Sequence, residues 1–374
     1  MKQRKIAIIR KDTGLFGGIE RQILMLSKGL KKDGFIVYFI TNNSQSRLAE
    51  SLSKINVIVK EFDLSKLVKT GKDIGIFLKK EDIRIVQSHM LKESFIIRIA
   101  KIFNWKIKHI FRVHTYIDCS QISRVKKNFY HFISKLTDFL VDKYVSINEF
   151  NVNELTTRTR VRISKISVLH DVISCVDITA TPIKQPIKKI GMIANFVPFK
   201  GHDILVRGLK LLKDEGVYLE AVIIGGESYS KGNNQTPIIT NEIIKLCQEL
   251  EIEKQIELAG FVNNIHEVIK DIPIIVLPSY SEGTPNCLLE AMSLKRIVIA
   301  SNVGGIPEFI EDGVNGFLHE SKSAEAFAIK IKKVLELDEL TLNRVSENGF
   351  NTWNKDYSED KVSKKYVEFI NSLV

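Results

Sequence analysis

Twelve short apolar runs, each followed by a longer stretch with helical spacing, restrict this chain to one class of fold. In residues 1–180 the runs are Ile6–Arg10, Ile36–Ile40, Val57–Val59, Ile83–Gln87, Ile110–Val113, Val145–Ile147 and Ile166–Leu169. Beyond them come Ile190–Ala194, Ala221–Ile224, Ile256–Leu258, Ile274–Leu277 and Ile297–Ala300. Near-continuous apolar character, rather than alternation, suits strands of a parallel sheet covered on both faces. Ile19, Ile23, Leu26 and Leu30 form a helical stripe that stops at Gly34. Ser358 is placed to cap a last helix with Val362, Tyr366, Phe369, Ile370 and Leu373 on one side. The segment Thr179–Lys189, with Pro182 and Pro186, reads as a linker. Two βα series in tandem predict two doubly wound α/β domains facing a central cleft, spanning 1–180 and 181–352, with a C-terminal helix in 353–374. Ligands of such sheets bind beyond the carboxyl ends of the strands.

Composition narrows the partners. The net charge of +11 is uneven. Residues 1–180 hold 33 Lys and Arg against 17 Asp and Glu, a net +16; residues 181–374 hold 22 against 27, a net −5. Such asymmetry suggests an anionic partner for the first half: an acidic membrane surface, a phosphorylated lipid acceptor or nucleic acid. A bias towards Lys and Ile would leave the same surface merely solvated, and both readings stand. No nucleic-acid motif accompanies the charge, so no nucleic-acid partner is expected. The helical pattern from Gln121 to Val141 carries Arg124, Lys126, Lys127, Phe129, Tyr130, Phe132 and Leu136. That composition suits an interfacial face as well as an ordinary amphipathic core helix. There is no run of about 18 apolar residues, so no spanning helix is expected. The basic head and short apolar stretch at the start read as a first strand, not a secretory leader. Cys119, Cys175, Cys247 and Cys287 are far apart and form no Cys-x-x-Cys, which favours idle cytosolic thiols over disulfides or zinc.

The chemistry-bearing stretch is Pro278–Glu290, Pro-Ser-Tyr-Ser-Glu-Gly-Thr-Pro-Asn-Cys-Leu-Leu-Glu, directly after the run Ile274–Leu277. It puts Glu282 on the loop leaving a buried strand and Glu290 eight residues later, inside the next helix. Pro285 suits a first helical position, so a helix is expected to start near Thr284. Its free N–H groups around Pro285, Asn286 and Cys287 would form an anion site between the two carboxylates. A ligand that is part phosphate and part polyol, such as a nucleotide sugar, fits that arrangement. These residues, with Val303-Gly304-Gly305-Ile306-Pro307-Glu308 and Asp312-Gly313-Val314-Asn315-Gly316, resemble the donor site of retaining glycosyltransferases of family 4. The resemblance implies the GT-B fold, two Rossmann-like domains with the C-terminal helix returning to the first.

Further elements agree with the resemblance. In Gly191–Asp203 a strand ends, a loop turns at Pro198, and Lys200 stands just ahead of a helix. A cation there opposes the helix dipole unless an anion binds, which favours a functional role. The family's Lys at this place neutralises the departing diphosphate. The family usually has an Arg earlier in the loop, where this chain has Asn195, so donor affinity would rest more on Lys200 and the helix amides. Gly17-Gly18-Ile19-Glu20 opens the first helix, where Gly17 and Gly18 would leave N–H groups free for an anion of the donor; it resembles the family's Gly-Gly-x-Glu element, and a simple strand-to-helix turn would look the same. It is not the Gly-x-Gly-x-x-Gly fingerprint, and no NAD is inferred. His89 and His114 each close a predicted strand, where structural and catalytic histidines both occur. The resemblance favours His114 as a contact to the reacting sugar or the acceptor. His170-Asp171 stands where many family members have Asn-Gly and receives no role. Glu290 would take the ribose hydroxyls and Glu282 would face the sugar. Gly283, Thr284, Pro285 and Asn286 would line the diphosphate, with Gly225-Gly226-Glu227 and Gly260-Phe261-Val262 near the base. Gly304 and Gly305 would let their loop approach the donor.

The expectation is a retaining hexosyltransferase, with Glu282, Lys200 and His114 as catalytic residues. The donor would be a nucleoside diphosphate sugar, most simply UDP-linked, and the acceptor a lipid-linked or polysaccharide glycan of the bacterial surface. The absence of any Asp-x-Asp points to metal-independent chemistry with no cofactor. The enzyme would be cytoplasmic and peripheral on the inner face of the membrane through its basic first half. Three alternatives share the fold: a nucleotide-sugar epimerase or hydrolase, a non-catalytic partner of another transferase, and a phosphorylase or sucrose-type transferase with a soluble acceptor.

Overall fold

The computed structural model describes residues 3–14, 16–114, 124–173, 178–226, 238–262 and 264–374, with the backbone alone at 124–127 and 238. Residues 121–123, Cys119, Cys175 and Glu227 lie outside the described residues, as do the side chains of Arg124, Lys126 and Lys127. The chain divides into two compact units. The first comprises Met1–Val172 with Glu359–Val374, the second Ile173–Ser358. The change-over is set by backbone partners. Val172 N–H bonds Gln22 Oε1 at 2.6 Å, whereas Ile173 N–H bonds the carbonyl of Tyr357 at 2.9 Å.

The first unit runs β1 (Lys5–Ile9), α1 (Gly18–Lys32), β2 (Ile36–Thr41), α2 (Arg47–Ser53), β3 (Ile58–Glu61), α3 (Leu67–Lys80), β4 (Ile85–Ser88), α4 (Leu91–Phe103), β5 (Lys108–Val113), α5 (Arg124–Leu136), β6 (Lys143–Ser146), α6 (Glu149–Arg158) and β7 (Ile166–Val168). Its strands form one parallel sheet in the order β3-β2-β1-β4-β5-β6-β7. Side chains of a strand alternate between faces, and β1 shows the consequence. Ile6 and Ile8 join a core with Ile23, Leu26 and Leu30 of α1, while Ala7 and Ile9 join another with Ile74 of α3 and Ile96 of α4. Both faces are covered, so the strands read as unbroken apolar runs.

The second unit runs β8 (Lys189–Ile193), α7 (His202–Asp214), β9 (Glu220–Ile224), α8 (Ile238–Glu249), β10 (Ile256–Gly260), α9 (Ile265–Ile269), β11 (Ile274–Leu277), α10 (Asn286–Ser293), β12 (Ile297–Ser301), β13 (Phe317–His319), α11 (Ala324–Leu335) and α12 (Glu339–Asp356). Its parallel sheet has the order β10-β9-β8-β11-β12-β13. The last helix, α13 (Glu359–Asn371), belongs to the first unit, where Val362, Tyr366 and Ile370 are buried in the core of α1 and β2. No helix among the described residues is long and apolar enough to cross a membrane.

All twelve predicted strands are present. β13 has no counterpart among them, because three residues at a sheet edge give no periodic signal. β3 starts one residue later than expected and is mostly exposed, since an edge strand is not covered on both sides. The helix expected near Thr284 begins at Asn286 instead. Pro285 is its cap, with ψ 111° keeping it in the extended region. In both sheets the strand order reverses beside the first strand, between β1 and β4 and between β8 and β11. Doubly wound sheets open a crevice at such a point.

Candidate functional site

In the second unit, the loops leaving β8 and β11 meet at the reversal point. Tyr280 N–H bonds the carbonyl of Phe199 at 2.8 Å, and Ser279 Oγ lies 3.5 Å from the carbonyl of Lys200. Gly201 makes that contact possible. Its φ is +74°, and a Cβ there would stand 1.9 Å from the carbonyl oxygen of Pro278. The result is that Lys200, held just ahead of α7, places Nζ 2.7 Å from Glu282 Oε1. Ser279 Oγ donates to the same carboxylate oxygen at 2.6 Å. The Glu282 side chain is 8% exposed and that of Lys200 21%. A cation and a carboxylate expected from separate motifs thus form one half-buried pair.

The second carboxylate belongs to the same group. Glu290 lies in α10, 8% exposed, and its backbone carbonyl accepts from Ser293 Oγ at 2.7 Å. Cys287, between the two carboxylates in sequence, responds to all of these charges. Burial pushes its thiol up to about 12; Lys200 pulls against this, and Glu282 and Glu290 add to it. The thiol is therefore protonated and unreactive near neutral pH. The first N–H groups of α10 have no carbonyl of their own helix to bond, and Asn286 provides the first of them. Buried Pro285 and half-buried Gly283 and Thr284 lead into it.

A second loop clamps this one. Gly304 has φ +56°, and a Cβ there would lie 1.8 Å from the carbonyl oxygen of Glu282. Gly305 N–H bonds the carbonyl of Gly283 at 3.1 Å. The close approach these glycines serve in the structure is to the backbone carrying Glu282. Asn315 has a scaffolding role: its amide bonds the carbonyl of Phe309 and Thr352 Oγ1, each at 2.9 Å. At the ends of β8, β9 and β10, Phe196 N–H bonds the carbonyl of Gly226 and Gly225 N–H bonds that of Gly260. A Cβ on Gly225 would stand 2.0 Å from the carbonyl oxygen of Ala194. Asn195 and Phe261 are exposed beside these turns.

In the first unit, Gly17 and Gly18 are exposed at the start of α1. The Gly17 N–H, expected to be free for an anion, is donated to Glu20 Oε2 at 3.0 Å. Glu20 is buried, and its other oxygen takes Arg10 Nε at 3.1 Å. A carboxylate three residues into a helix reaches back to its cap, so Glu20 serves α1 and Arg10 first. Glu93 completes this cluster, with Oε1 3.6 Å from Arg10 Nη1 and 2.9 Å from the Lys11 N–H. His114 stands at the end of β5, 6% exposed, with Nε2 2.9 Å from His89 Nδ1. The two rings stack at 5.2 Å. Sequence reasoning picked out neither Arg10 nor Glu93, and Gln87, Ser279 and Tyr366 gained no role from it either. Their positions depend on which elements fold together, and only Ser279 lies within the Pro278–Glu290 stretch.

Comparison with known proteins agrees with this architecture. The family description "Glycosyl transferases group 1" matches residues 177–352, and "Glycosyltransferase Family 4" matches residues 16–175. An Escherichia coli protein named UDP-Gal:alpha-D-GlcNAc-diphosphoundecaprenol alpha-1,3-galactosyltransferase is 24% identical over 95% of both chains. A Staphylococcus aureus poly(ribitol-phosphate) alpha-N-acetylglucosaminyltransferase is 27% identical over 60% of this chain and 41% of its own length. Like that protein, several curated relatives are matched over only about half their length. Among solved structures, a glycosyltransferase from Rickettsia africae superposes with a TM-score of 0.82 at 22% identity, covering 99% of this chain and 98% of its own. Anabaena HepE in complex with UDP does so with 0.81 at 15% identity, covering 98% and 100%. The fold is GT-B.

Proposed function

We propose, since the chain belongs to the group 1 glycosyltransferases of family 4, that it moves a hexose-type sugar from a UDP-sugar to a hydroxyl on a lipid-linked or polysaccharide glycan of the bacterial surface. The observation that carries this reading is the Lys200–Glu282 pair at 2.7 Å, at the reversal point of the second sheet, with Glu290 close enough to act on the same thiol. The UDP in the HepE complex and the donor in the name of the Escherichia coli relative support the choice of base.

Cleavage of a sugar–diphosphate bond builds negative charge on the leaving group and positive charge on the anomeric carbon. Lys200 Nζ and the first amides of α10 are preorganised donors for the former, and such groups are most effective where charge develops. Glu290 can accept hydrogen bonds from two adjacent ribose hydroxyls. Glu282 holds Lys200 in place and presents a carboxylate towards the sugar. The reading includes retention at the anomeric carbon and no metal, with the leaving phosphate taking the acceptor proton.

A membrane-bound acceptor is favoured by one further observation. On and just after α5, Phe129, Phe132, Leu136 and Phe139 are 59–65% exposed, in a unit whose sequence is strongly basic. An apolar stripe with basic neighbours suits an anionic lipid surface. The test is transfer from UDP-sugars to undecaprenyl-linked glycans in anionic vesicles, with and without EDTA, at two salt concentrations. The reading expects an axially linked product from an axially linked donor, EDTA-insensitive and slower at high salt. Donor turnover without an acceptor product would instead point to an epimerase or hydrolase, and salt-independent transfer to free sugars would remove the membrane.

A further inference from the structure

The first unit contains a run of buried polar contacts that the chemistry above does not use. Tyr366 on α13 donates its hydroxyl to Gln87 Oε1 at 2.9 Å. Gln87 Nε2 stands 2.9 Å from His89 Nε2, and His89 Nδ1 stands 2.9 Å from His114 Nε2. His114 Nδ1 lies 3.8 Å from Asp171 Oδ2. All five residues are at most 6% exposed.

Proton positions along such a chain depend on one another, because each contact needs one donor and one acceptor. Asp171 sets the polarity. Burial would raise its carboxyl, but His114 and Arg112 outweigh that and hold it at about 2, so it is ionised. A carboxylate 3.8 Å from Nδ1 favours a proton on that nitrogen. A neutral His114 then has a lone pair at Nε2, which the Nδ1–H of His89 meets. His89 is left with a lone pair at Nε2, met by the Gln87 amide N–H. The amide oxygen remains for the Tyr366 hydroxyl, as observed. Reversing the chain requires either a lone pair aimed at Asp171 or a second proton on His114. The other charged groups around the pair are Arg112, bound to Asp171 and to the carbonyls of Leu169 and His170, and Arg10, tied to Glu20 and Glu93. Both cations oppose further positive charge. Burial, helped by His114, Arg112 and Arg10, places the His89 pKa well below its ordinary value.

We propose that Tyr366, Gln87 and His89 are positioning residues that hold His114 as a neutral ring with its proton on Nδ1. The inference rests on the transferase reading for its purpose: a neutral ring adds no positive charge to a transition state that is itself building one. It also gives α13 a role beyond packing, since the last helix of the chain supplies the far end of the relay.

Histidine-selective 15N NMR on the whole protein tests the proton positions without reference to activity. Signals are assigned from His89→Asn and His114→Asn. The proposal expects Nδ1 to be the protonated nitrogen in both rings at neutral pH. Protonation on Nε2 in either ring overturns it. Gln87→Glu supplies an accept-only carboxylate, which requires a donor at His89 Nε2 and so a second proton on His114. Both His114 nitrogens should then carry a proton in the 15N spectrum of the variant, a change that merely structural packing would not cause. An unchanged His114 proton pattern in a folded variant also counts against the relay. Tyr366→Phe keeps the ring in the core, and kcat is expected to fall about fivefold with donor KM unchanged, the effect of one lost hydrogen bond. Correct tautomers with no transferase activity in the wild type would leave the relay standing and remove the functional reading.

Discussion

Lys200 shows how one residue's meaning changes between sequence and structure. In the sequence it is a cation at an unfavourable place, ahead of a helix. In the structure the cost is offset by Glu282 at 2.7 Å, a partner 82 positions away. The pair is half-buried, so its net contribution to stability is small, about 1 kcal/mol. Its consequence for catalysis is larger under the proposed function, in which Lys200 meets a leaving diphosphate. Replacing Lys200 with Ala is expected to lower kcat by roughly a hundredfold or more, as loss of one preorganised charge donor does. The same variant should lose no more than about 1–2 kcal/mol of unfolding free energy, leaving Glu282 with Ser279. Urea unfolding and steady-state kinetics on the same sample separate the two effects. A kcat within threefold of the wild type would remove Lys200 from the mechanism.

Elements explain why the site was partly legible. The Glu282–Glu290 stretch lies on one loop and one short helix, so its residues were readable together. Its supports were not. The loop of Gly304 reaches Glu282 from the end of β12, and nothing in its sequence names the carbonyl it must avoid. Gly304→Ala brings a Cβ to 1.8 Å of that oxygen in a backbone region that favours glycine. The variant is expected to lose about 2–4 kcal/mol of stability and to weaken donor binding with it, measured by thermal unfolding and by nucleotide titration. Unchanged stability and binding would mean the loop does not support Glu282. Strands were readable for a related reason: helices cover both faces of both sheets, so burial wrote a continuous signal. β13 and the ends of β3 were not, because sheet edges are not buried that way. The start of α10 was misplaced by the proline, which the structure uses as a cap.

At the scale of the molecule, two doubly wound sheets were foreseeable from the tandem series of runs, and the GT-B neighbours have the same architecture. The polar chain ending at Tyr366 was not foreseeable. It joins β4, β5, α13 and the segment after β7, four parts of the chain with no common pattern. Gln87 carries no motif and His170-Asp171 suggested no role, and their value arises only when the fold brings β4 and the segment after β7 together. The same holds for Arg10 and Glu93.

The central claim is that the second unit holds a nucleoside diphosphate between Lys200 and Glu290. A thermal-shift titration with UDP, GDP, ADP and CDP, repeated in Lys200→Ala and Glu290→Ala, tests it most directly. At about 100 times its dissociation constant, a ligand that binds only the folded state stabilises it by about 2.7 kcal/mol. The account predicts that UDP does so in the wild type, that the other bases do so less, and that both variants lose the effect. Equal stabilisation in the wild type and both variants, or none with any nucleotide, would contradict it.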